Sequence, residues 1–253
     1  MEADIQAMDY FLEIYGKLPR AGPGSYACTK RAYDMMSEVP ASPRILDIGC
    51  GPGMQTVDLL KISSGHVLAL DFLPLMIERT RANAENANVS ERLEVLEQDM
   101  NQMAFPPASF DVVWSEGAIY NLGFENGLSK IKSFVRPGGY VAISEVVWLK
   151  VDAPGPLVEF WKQYPEIGSV ESKLDVINRL GYQPVGHFIL PKSAWTDDYY
   201  DPMERLISHK SEEWAGIPEA MEVIEEARSE IEIFHKYASY FGYAFFVMRW
   251  PVE

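Results

Sequence analysis

The chain has 253 residues, 47% of them hydrophobic, and a formal net charge of −15. This length suffices for one large buried core, or for a core domain with a smaller cap. A nucleic-acid binder must neutralise phosphates with clustered Lys and Arg, and the sequence has no basic stripe. We therefore expect no nucleic acid among its partners.

Several features predict a cytoplasmic protein. The two cysteines, Cys28 and Cys50, are too few for a disulfide framework and suit a reducing compartment. The first residues lack the basic start and apolar core of a signal peptide. No run of about 18 apolar residues predicts a membrane span. The scattered histidines and cysteines lack metal-ligand spacing, so we expect no metal site.

The first part of the chain is predicted to be helical. Apolar residues at helical spacing predict a helix over 5–17. Ser25 is a candidate N-cap for a second helix that reaches about Val39. The loop between them is rich in proline and glycine, and its segment Arg20–Ser25 is expected to fold over a ligand. We interpret residues 1–43 as an N-terminal helical cap.

From Arg44 onward, short apolar runs alternate with helical segments. The pattern predicts strands at 44–48, 66–71, 93–99, 110–115 and 140–148, with helices at 54–62, 74–87 and 125–135. The sequence Arg136-Pro137-Gly138-Gly139 predicts a stop after the last of these helices. Alternating strands and helices imply a parallel sheet covered on both faces, here over residues 44–150.

After Lys150 the alternation breaks down. We predict helices at 157–164, 170–180, 197–211 and 218–240, a sixth strand at 185–190 and a terminal strand at 243–250. Residues 151–215 are interpreted as a helical, aromatic lid region that includes strand six. Residues 216–253 supply a long helix and a terminal strand that complete the sheet.

The strongest functional signal is the glycine-rich loop that follows the first strand, Gly49-Cys50-Gly51-Pro52-Gly53. Glycines allow a tight turn and a close approach of backbone to ligand. Asp71 ends the next strand, beside the first strand in such a sheet. Its carboxylate is placed there to accept hydrogen bonds from both ribose hydroxyls. Together these features predict a nucleotide cofactor.

The loop also discriminates between cofactors. Dinucleotide folds prefer G-x-G-x-x-G, whereas this chain has G-x-G-x-G with Met54 next. Asp47 precedes the loop, where a carboxylate would repel a pyrophosphate but suit a ligand with an ammonium and a sulfonium. A P-loop is excluded, because no Gly-Lys-Ser/Thr follows.

The segment Leu46–Gly53 resembles motif I of class I S-adenosylmethionine-dependent methyltransferases. The family's other motifs follow in order at Asp71-Phe72, Gln98-Asp99-Met100, Phe110–Ser115 and Arg136–Tyr140. This resemblance covers roughly residues 40 to 150. It implies an α/β, Rossmann-like doubly wound sheet, mostly parallel with an antiparallel C-terminal strand, plus a helical cap. It also implies S-adenosyl-L-methionine as cofactor.

More narrowly, the chain resembles an uncharacterised prokaryotic subgroup of the "type 11" methyltransferase set. The similar segments are Gly22-Pro23-Gly24-Ser25, the run from Trp114 to Asn121, and Phe188-Ile189-Leu190-Pro191 with Trp195-Thr196-Asp197. The motifs and the strand ends together give these candidate cofactor-binding residues: Asp47, Gly49, Cys50, Gly51, Gly53, Gln55, Asp71, Phe72, Asp99, Met100 and Ser115.

Acceptor-site candidates follow from the rule that ligands bind outside the carboxyl ends of parallel strands. The rule points to Glu116 and Tyr120 as candidate catalytic residues, with Glu116 either a base or a cofactor contact. Glu145 is expected to make a structural hydrogen bond. The candidate substrate-binding residues are Asn121, Trp148, Trp195 and Tyr199. The lid aromatics are either a cage for a cation or planar ring, or the core of the cap.

The predicted function is methyl transfer from S-adenosylmethionine to a small-molecule acceptor. Two alternatives stay open: a nicotinamide-dependent oxidoreductase and a non-catalytic S-adenosylmethionine-binding protein. Asp47 and the glycine spacing argue against the first. Intact binding motifs are compatible with the second.

Overall fold

A computed structural model describes residues 2–252, and the side chains of residues 7–252; Met1 and Glu253, the ends of two predicted regions, lie outside the described residues. The fold is built on one eight-stranded sheet. Its strands are β1 (Arg44–Ile48), β2 (His66–Asp71), β3 (Leu93–Glu97), β4 (Phe110–Glu116), β5 (Val135–Trp148), β6 (Gly168–Ser169), β7 (Gln183–Ile189) and β8 (Phe241–Arg249).

The strand order is β3-β2-β1-β4-β5-β8-β7, with β6 paired to the end of β5. Strands β1 to β5 pair in parallel with their neighbours, and β8 is antiparallel to both β5 and β7. This confirms the predicted fold class. The chain reverses direction across the sheet between β1 and β4, so a crevice opens at the carboxyl ends of these strands.

The helices are α1 (Glu2–Tyr15), α2 (Tyr26–Asp34), α3 (Met54–Ile62), α4 (Pro74–Asn86), α5 (Phe124–Ile131), α6 (Gly155–Phe160), α7 (Val170–Arg179), α8 (Ser193–Trp195), α9 (Asp201–Glu213) and α10 (Pro218–Tyr237). Ser25 caps α2 as predicted, since its hydroxyl accepts from the Cys28 amide. No described helix combines the length and apolar composition needed to cross a bilayer.

Some predicted boundaries were wrong. Helix α2 ends at Asp34 rather than near Val39. The segment Arg136–Gly139, predicted as a stop, lies inside β5. Gly138 has a left-handed φ of 79° there, and the register of the pairing with β4 shifts at the same place. Helix α9 begins at Asp201, after α8 and a π-helical turn over Thr196–Tyr200. The two-residue strand β6 carries too little pattern to be predicted.

Hydrophobic cores lie on both faces of the sheet. In β1, Ile45 packs into one core cluster, whereas Leu46 and Ile48 pack into the other. Helices α2, α3, α4, α9 and α10 contribute to the first cluster, and α5 and α7 contribute to the second. A parallel sheet covered on both faces buries nearly every strand residue, so only the strand ends and their loops are free to bind a ligand.

Gly53 precedes α3 with a left-handed φ of 81°, and a Cβ added to it would lie 2.6 to 2.8 Å from Thr80 in α4. An L-residue in this conformation costs about 1–2 kcal/mol, and the overlap of its Cβ with Thr80 adds to that cost. Gly53→Ala should therefore lower the free energy of unfolding, measured by urea titration, by more than about 1 kcal/mol. The control is Gly155→Ala, where no atom lies within 4 Å of the added Cβ. Equal stability of the two variants would contradict this packing.

Candidate functional site

Two adjoining cavities lie at the carboxyl ends of the central strands. The first has a volume of about 490 Å³ and is lined by the glycine-rich loop, the end of β2, residues 98–101 and the turn after β4; we call it the glycine-loop cavity. The second has a volume of about 800 Å³ and is lined largely by aromatic side chains; we call it the aromatic cavity. Both volumes fall in the range of small-molecule sites.

The glycine-rich loop is held to the sheet by its own backbone. The amides of Gly49 and Cys50 both donate to the Leu70 carbonyl at 2.9 Å. Gly49 and Gly51 adopt left-handed φ values of 71° and 53°. A Cβ added to Gly51 would meet only Ala21, at 3.5 Å. The backbone at Gly51 therefore lies bare on the cavity wall, as a closely bound ligand requires.

Asp71 at the tip of β2 is fixed by two backbone donors. Its Oδ2 accepts from the Gly51 amide at 2.9 Å, and its Oδ1 accepts from the Leu73 amide at 3.0 Å. Burial raises the pKa of Asp71, and the amides of Leu73 and Gly51 oppose that rise. Each carboxylate oxygen keeps a further lone pair. The carboxylate is thus oriented to accept a pair of hydroxyl donors from the cavity.

Another part of the same cavity wall suits a flat ring. Phe72 is 58% exposed and lines the cavity together with the nearly buried Met100. Asp99 lies beside them, where its Oδ1 accepts from the backbone and side-chain nitrogens of Asn101 at 2.8 and 3.0 Å. These hydrogen bonds lower the pKa of Asp99. The wall offers an aromatic face and a charged acceptor.

Most of the predicted cofactor-binding residues meet in the glycine-loop cavity. Those on its wall are Gly49, Cys50, Gly51, Gln55, Asp71, Phe72, Asp99 and Met100, and the acceptor candidates Glu116, Tyr120 and Asn121 line it too. Gln55 is oriented by donating from Nε2 to the Cys50 carbonyl at 2.9 Å. The Cys50 thiol faces Thr80, so Cys50 contributes backbone to the cavity.

Three predicted cofactor contacts lie behind the wall instead. Ser115 is buried and donates to the Ile48 carbonyl at 2.9 Å, and Gly53 packs against Thr80. Asp47 is fully buried; its Oδ2 accepts from the Thr56 hydroxyl at 2.5 Å. Its Oδ1 has no hydrogen-bond partner within the described part of the chain. The side chains of Ser115 and Asp47 support the loop from beneath, because strand alternation directs them into the interior.

Glu116, at the end of β4, is the centre of a buried polar network. Its Oε2 accepts from Arg20 Nη1 at 3.2 Å, while its Oε1 accepts from the Thr29 hydroxyl at 2.7 Å and from Trp114 Nε1 at 2.9 Å. Arg20 Nη2 also donates to Asp58 of α3 at 2.6 Å. Because three donors occupy its carboxylate, these contacts favour a positioning role for Glu116 over the predicted role as a base.

Arg20 is the functional residue that the sequence did not single out. Its side chain is buried between two carboxylates, which joins the N-terminal loop to α3 and β4. The same loop is held by hydrogen bonds from the Arg20 and Gly24 amides to the Asp198 and Ala194 carbonyls. A single arginine in a Pro/Gly loop has no periodicity to mark it. The loop itself lines both cavities through Ala21–Pro23, where it was expected.

The aromatic cavity contains two of the predicted substrate-binding residues. Trp195 stacks on Phe234 at 4.8 Å and lines the cavity, as does Tyr199. Tyr120 lines both cavities and lies at their junction. Trp148 lines neither, because it lies beyond Val146 at the end of β5, where it pairs with β6 and β8. The structure therefore does not bring Trp148 to either cavity.

Glu145 makes structural hydrogen bonds. It is buried in β5, where its Oε1 accepts from the Tyr164 hydroxyl and from Lys173 Nζ, the latter at 3.3 Å. Burial raises the pKa of Glu145, and Lys173 opposes that rise. Across the described residues, no group of three or more His, Cys, Asp and Glu is arranged to hold a metal ion.

The comparison with known proteins agrees with this geometry. Residues 45–139 match the family model described as a methyltransferase domain. A S-adenosylmethionine-dependent methyltransferase from Geobacter sulfurreducens, solved with S-adenosyl-L-homocysteine, superposes with a TM-score of 0.83 at 19% identity, covering 95% of this chain and 97% of that one. The chain has the class I methyltransferase fold. A Thiobacillus denitrificans methyltransferase gives the same TM-score at 18% identity, over 94% and 96% of the two chains.

The sequence relatives match part of this chain. A sterol 24-C-methyltransferase of Gibberella zeae is 31% identical over 110 residues, which is 43% of this chain and 28% of that protein. The 27-O-demethylrifamycin SV methyltransferase of Amycolatopsis mediterranei is 28% identical over 134 residues, 53% of this chain and 48% of that protein. The chain thus spans less than half the length of these relatives.

Replacing Glu116 tests the positioning role. In Glu116→Gln the amide must place its NH2 group against Arg20 or against the donors Thr29 and Trp114. Breaking a buried ion pair costs about 3–5 kcal/mol, so the variant should unfold at a lower urea concentration. A protease should also cleave it faster within the loop 18–25. The control Glu125→Gln removes an exposed partner of Arg179 and should change little. Wild-type stability with slower turnover would instead support Glu116 as a base.

Asp47 should make stability depend on pH. Burial raises its pKa from 3.8 to about 7, against the opposing hydrogen bond from Thr56. Because the folded chain then binds this proton more tightly than the unfolded chain does, stability falls as pH rises through that window. The quantity to follow is the free energy of unfolding of the wild type minus that of Asp47→Asn. It should decrease by a few kcal/mol at most as the pH rises from 4 to 7. A difference independent of pH would contradict an Asp47 carboxyl that is buried and that accepts from Thr56 without a counter-ion among the described residues.

Proposed function

We propose that this protein transfers a methyl group from S-adenosyl-L-methionine to a small-molecule acceptor. The observation that carries the proposal is the glycine-loop cavity, in which bare loop backbone, the oriented Asp71 carboxylate and the exposed Phe72 ring converge. The methyltransferase domain match over residues 45–139 supports it independently. Each of these features fits a different part of the cofactor.

The residues present fit the parts of S-adenosylmethionine. We assign the ribose hydroxyls to Asp71, because each of its oxygens has a lone pair left for a hydroxyl donor. The adenine is assigned to Phe72, Met100 and Asp99, which offer a ring face and a charged acceptor.

The amino-acid end of the cofactor is assigned to the loop and the start of α3. Helix N-terminal amides favour a carboxylate, and Gln55 lies beside them. The unpartnered Oδ1 of Asp47 suits an ammonium reached through a bridging water, since Asp47 itself lies behind the wall.

The cofactor supplies the reactive group, a methyl on a sulfonium that leaves as a neutral thioether while the methyl–acceptor bond forms. The protein's task is to align the acceptor and exclude water, and alignment alone is worth roughly 7–11 kcal/mol in favourable cases. Ala21–Pro23 of the loop 18–25, which Arg20 fixes, form part of the wall shared by both cavities. This wall shields the junction at which the two ligands would meet.

Tyr120 is our candidate for the residue that orients the acceptor. It lines both cavities, and burial raises the pKa of its hydroxyl. The phenol therefore stays neutral at physiological pH and is able to donate or accept a hydrogen bond at the junction. Asn121 lies next to it on the same 3₁₀ turn. Glu116 is engaged by three donors and is not assigned as the base. A proton released by the acceptor therefore passes to solvent or to a basic group of the acceptor itself.

The relatives do not fix the acceptor atom. One of them is a sterol C-methyltransferase and another methylates a demethylrifamycin. The direct test is to incubate the protein with methyl-labelled S-adenosylmethionine and a metabolite extract, and to identify labelled products by mass spectrometry. Labelled product that requires intact protein is the expected result. Tight binding of S-adenosylhomocysteine without transfer to any acceptor would favour a non-catalytic binding protein instead.

Asp71→Asn should weaken binding of S-adenosylhomocysteine by about tenfold to a hundredfold, measured by calorimetry. The amide keeps one acceptor but sets its NH2 group against a backbone donor, and hydrogen bonds to charged groups are worth about 1.5–3 kcal/mol. The control is Asp175→Asn on the exposed face of α7, which should bind like the wild type. An unchanged affinity in Asp71→Asn would remove Asp71 from the cofactor site.

A further inference from the structure

The aromatic cavity contains a carboxylate that the methyl-transfer proposal does not use. Glu230 of α10 lines this cavity among tyrosine and tryptophan side chains. Its Oε1 accepts from the hydroxyls of Tyr200 at 2.9 Å and Tyr199 at 3.0 Å. Among the described side chains, its Oε2 accepts only from Tyr15, at 3.5 Å. One oxygen is thus fixed by two phenols, and the other keeps acceptor capacity toward the cavity.

The cavity has no positive charge of its own. Among the described residues that line it, none is Lys, Arg or His. Glu222, Glu225 and Glu226 line the same cavity as Glu230. Glu226 and Glu222 lie four and eight positions before Glu230, and Glu225 lies three positions after Glu222, spacings that bring residues to neighbouring positions on one side of a helix. Burial raises the pKa of Glu230, and the three tyrosine hydroxyls oppose that rise. A cation entering the cavity would favour the charged form of Glu230.

Glu145 shows how the same fold pairs a carboxylate that has only a structural role. Glu145 also accepts from a tyrosine, but Lys173 supplies its counter-ion at 3.3 Å. Glu230 has phenols in place of that lysine and faces open space. The counter-ion of Glu230 is therefore to be expected from a ligand, since Glu230 is partly buried and withdrawing a carboxylate from water without a cation is costly.

The aromatic walls favour the same kind of ligand. Tyr15, Trp161, Trp195 and Tyr243 line the cavity. Aromatic rings attract ammonium groups through their negative faces, and most strongly where water is excluded. The volume of about 800 Å³ leaves room for an apolar body besides the charged group.

We infer that the aromatic cavity binds a methyl acceptor that carries a positively charged nitrogen, with the charge against Glu230 and the aromatic rings. That this ligand is the acceptor rests on the proposed function. The selectivity for a cation rests only on the cavity. The shared wall of Tyr15, Ala21–Pro23 and Tyr120 places such a ligand next to the glycine-loop cavity.

The test compares two probes of equal shape and different charge. Choline carries a trimethylammonium group, and 3,3-dimethyl-1-butanol carries a tert-butyl group in its place. Both are titrated by calorimetry into the full chain, with and without S-adenosylhomocysteine. We expect choline to bind at least about tenfold more tightly than its neutral counterpart, a difference of about 1.4 kcal/mol.

Two variants of α10 locate the effect. Glu230→Gln removes the charge but keeps the shape, and it should abolish the preference for choline. Glu232→Gln removes the same charge from an exposed position of the same helix and should keep the preference. Circular dichroism and the urea midpoint verify that Glu230→Gln is folded. If it is not, Glu226→Gln on the same cavity wall replaces it and should reduce the preference.

The outcomes separate this inference from the proposed function. Equal affinity for the two probes, no choline binding at millimolar concentrations, or an unchanged preference in a folded Glu230→Gln would overturn the inference. S-adenosylhomocysteine binding is measured in the same experiment. Its failure, with the choline preference intact, would overturn the proposed function and leave the cation site standing.

Discussion

The buried guanidinium of Arg20 is the contact on which the two cavities depend. It joins the loop 18–25 to Asp58 of α3 and Glu116 of β4, residues 38 and 96 positions away in the chain. A buried ion pair adds little net stability, but it fixes one arrangement because breaking it is costly. Ala21–Pro23 line both cavities. The ion pairs of Arg20 therefore fix the part of the chain that lies between the glycine-loop cavity and the aromatic cavity.

Four carboxylates that are wholly or partly buried show how the partners of a side chain determine its role. Glu116 is engaged by an arginine and two neutral donors, which makes it an anchor. Glu145 has Lys173 as its counter-ion and is structural. Asp47 has one bonded and one free oxygen beneath the glycine-rich loop. Glu230 has only phenols and an open cavity. The protein's acidic composition thus includes buried charges with distinct tasks, besides a solvated surface.

Much of the fold and of the glycine-loop cavity was predictable from local pattern. The bounds of β1, α3 and β2 follow from short apolar runs and glycine turns, and the position of Asp71 follows from strand order. Contacts between distant segments left no such signal, which is why the role of Arg20 was missed. The acidic face of α10 has a visible spacing, but only the packing of Tyr15, Tyr199 and Tyr200 shows that Glu230 faces a cavity. The strand-end rule does not take account of β6 and β8, which flank Trp148 at the end of β5.

The central claim is that the loop after β1 and the carboxylate at the tip of β2 hold an adenosyl ligand. A crystal structure determined with saturating S-adenosylhomocysteine tests it most directly. We expect density in the glycine-loop cavity, with the ribose hydroxyls on Asp71 and the adenine against Phe72. Density elsewhere on the protein, or an empty glycine-loop cavity at saturation, would contradict the account.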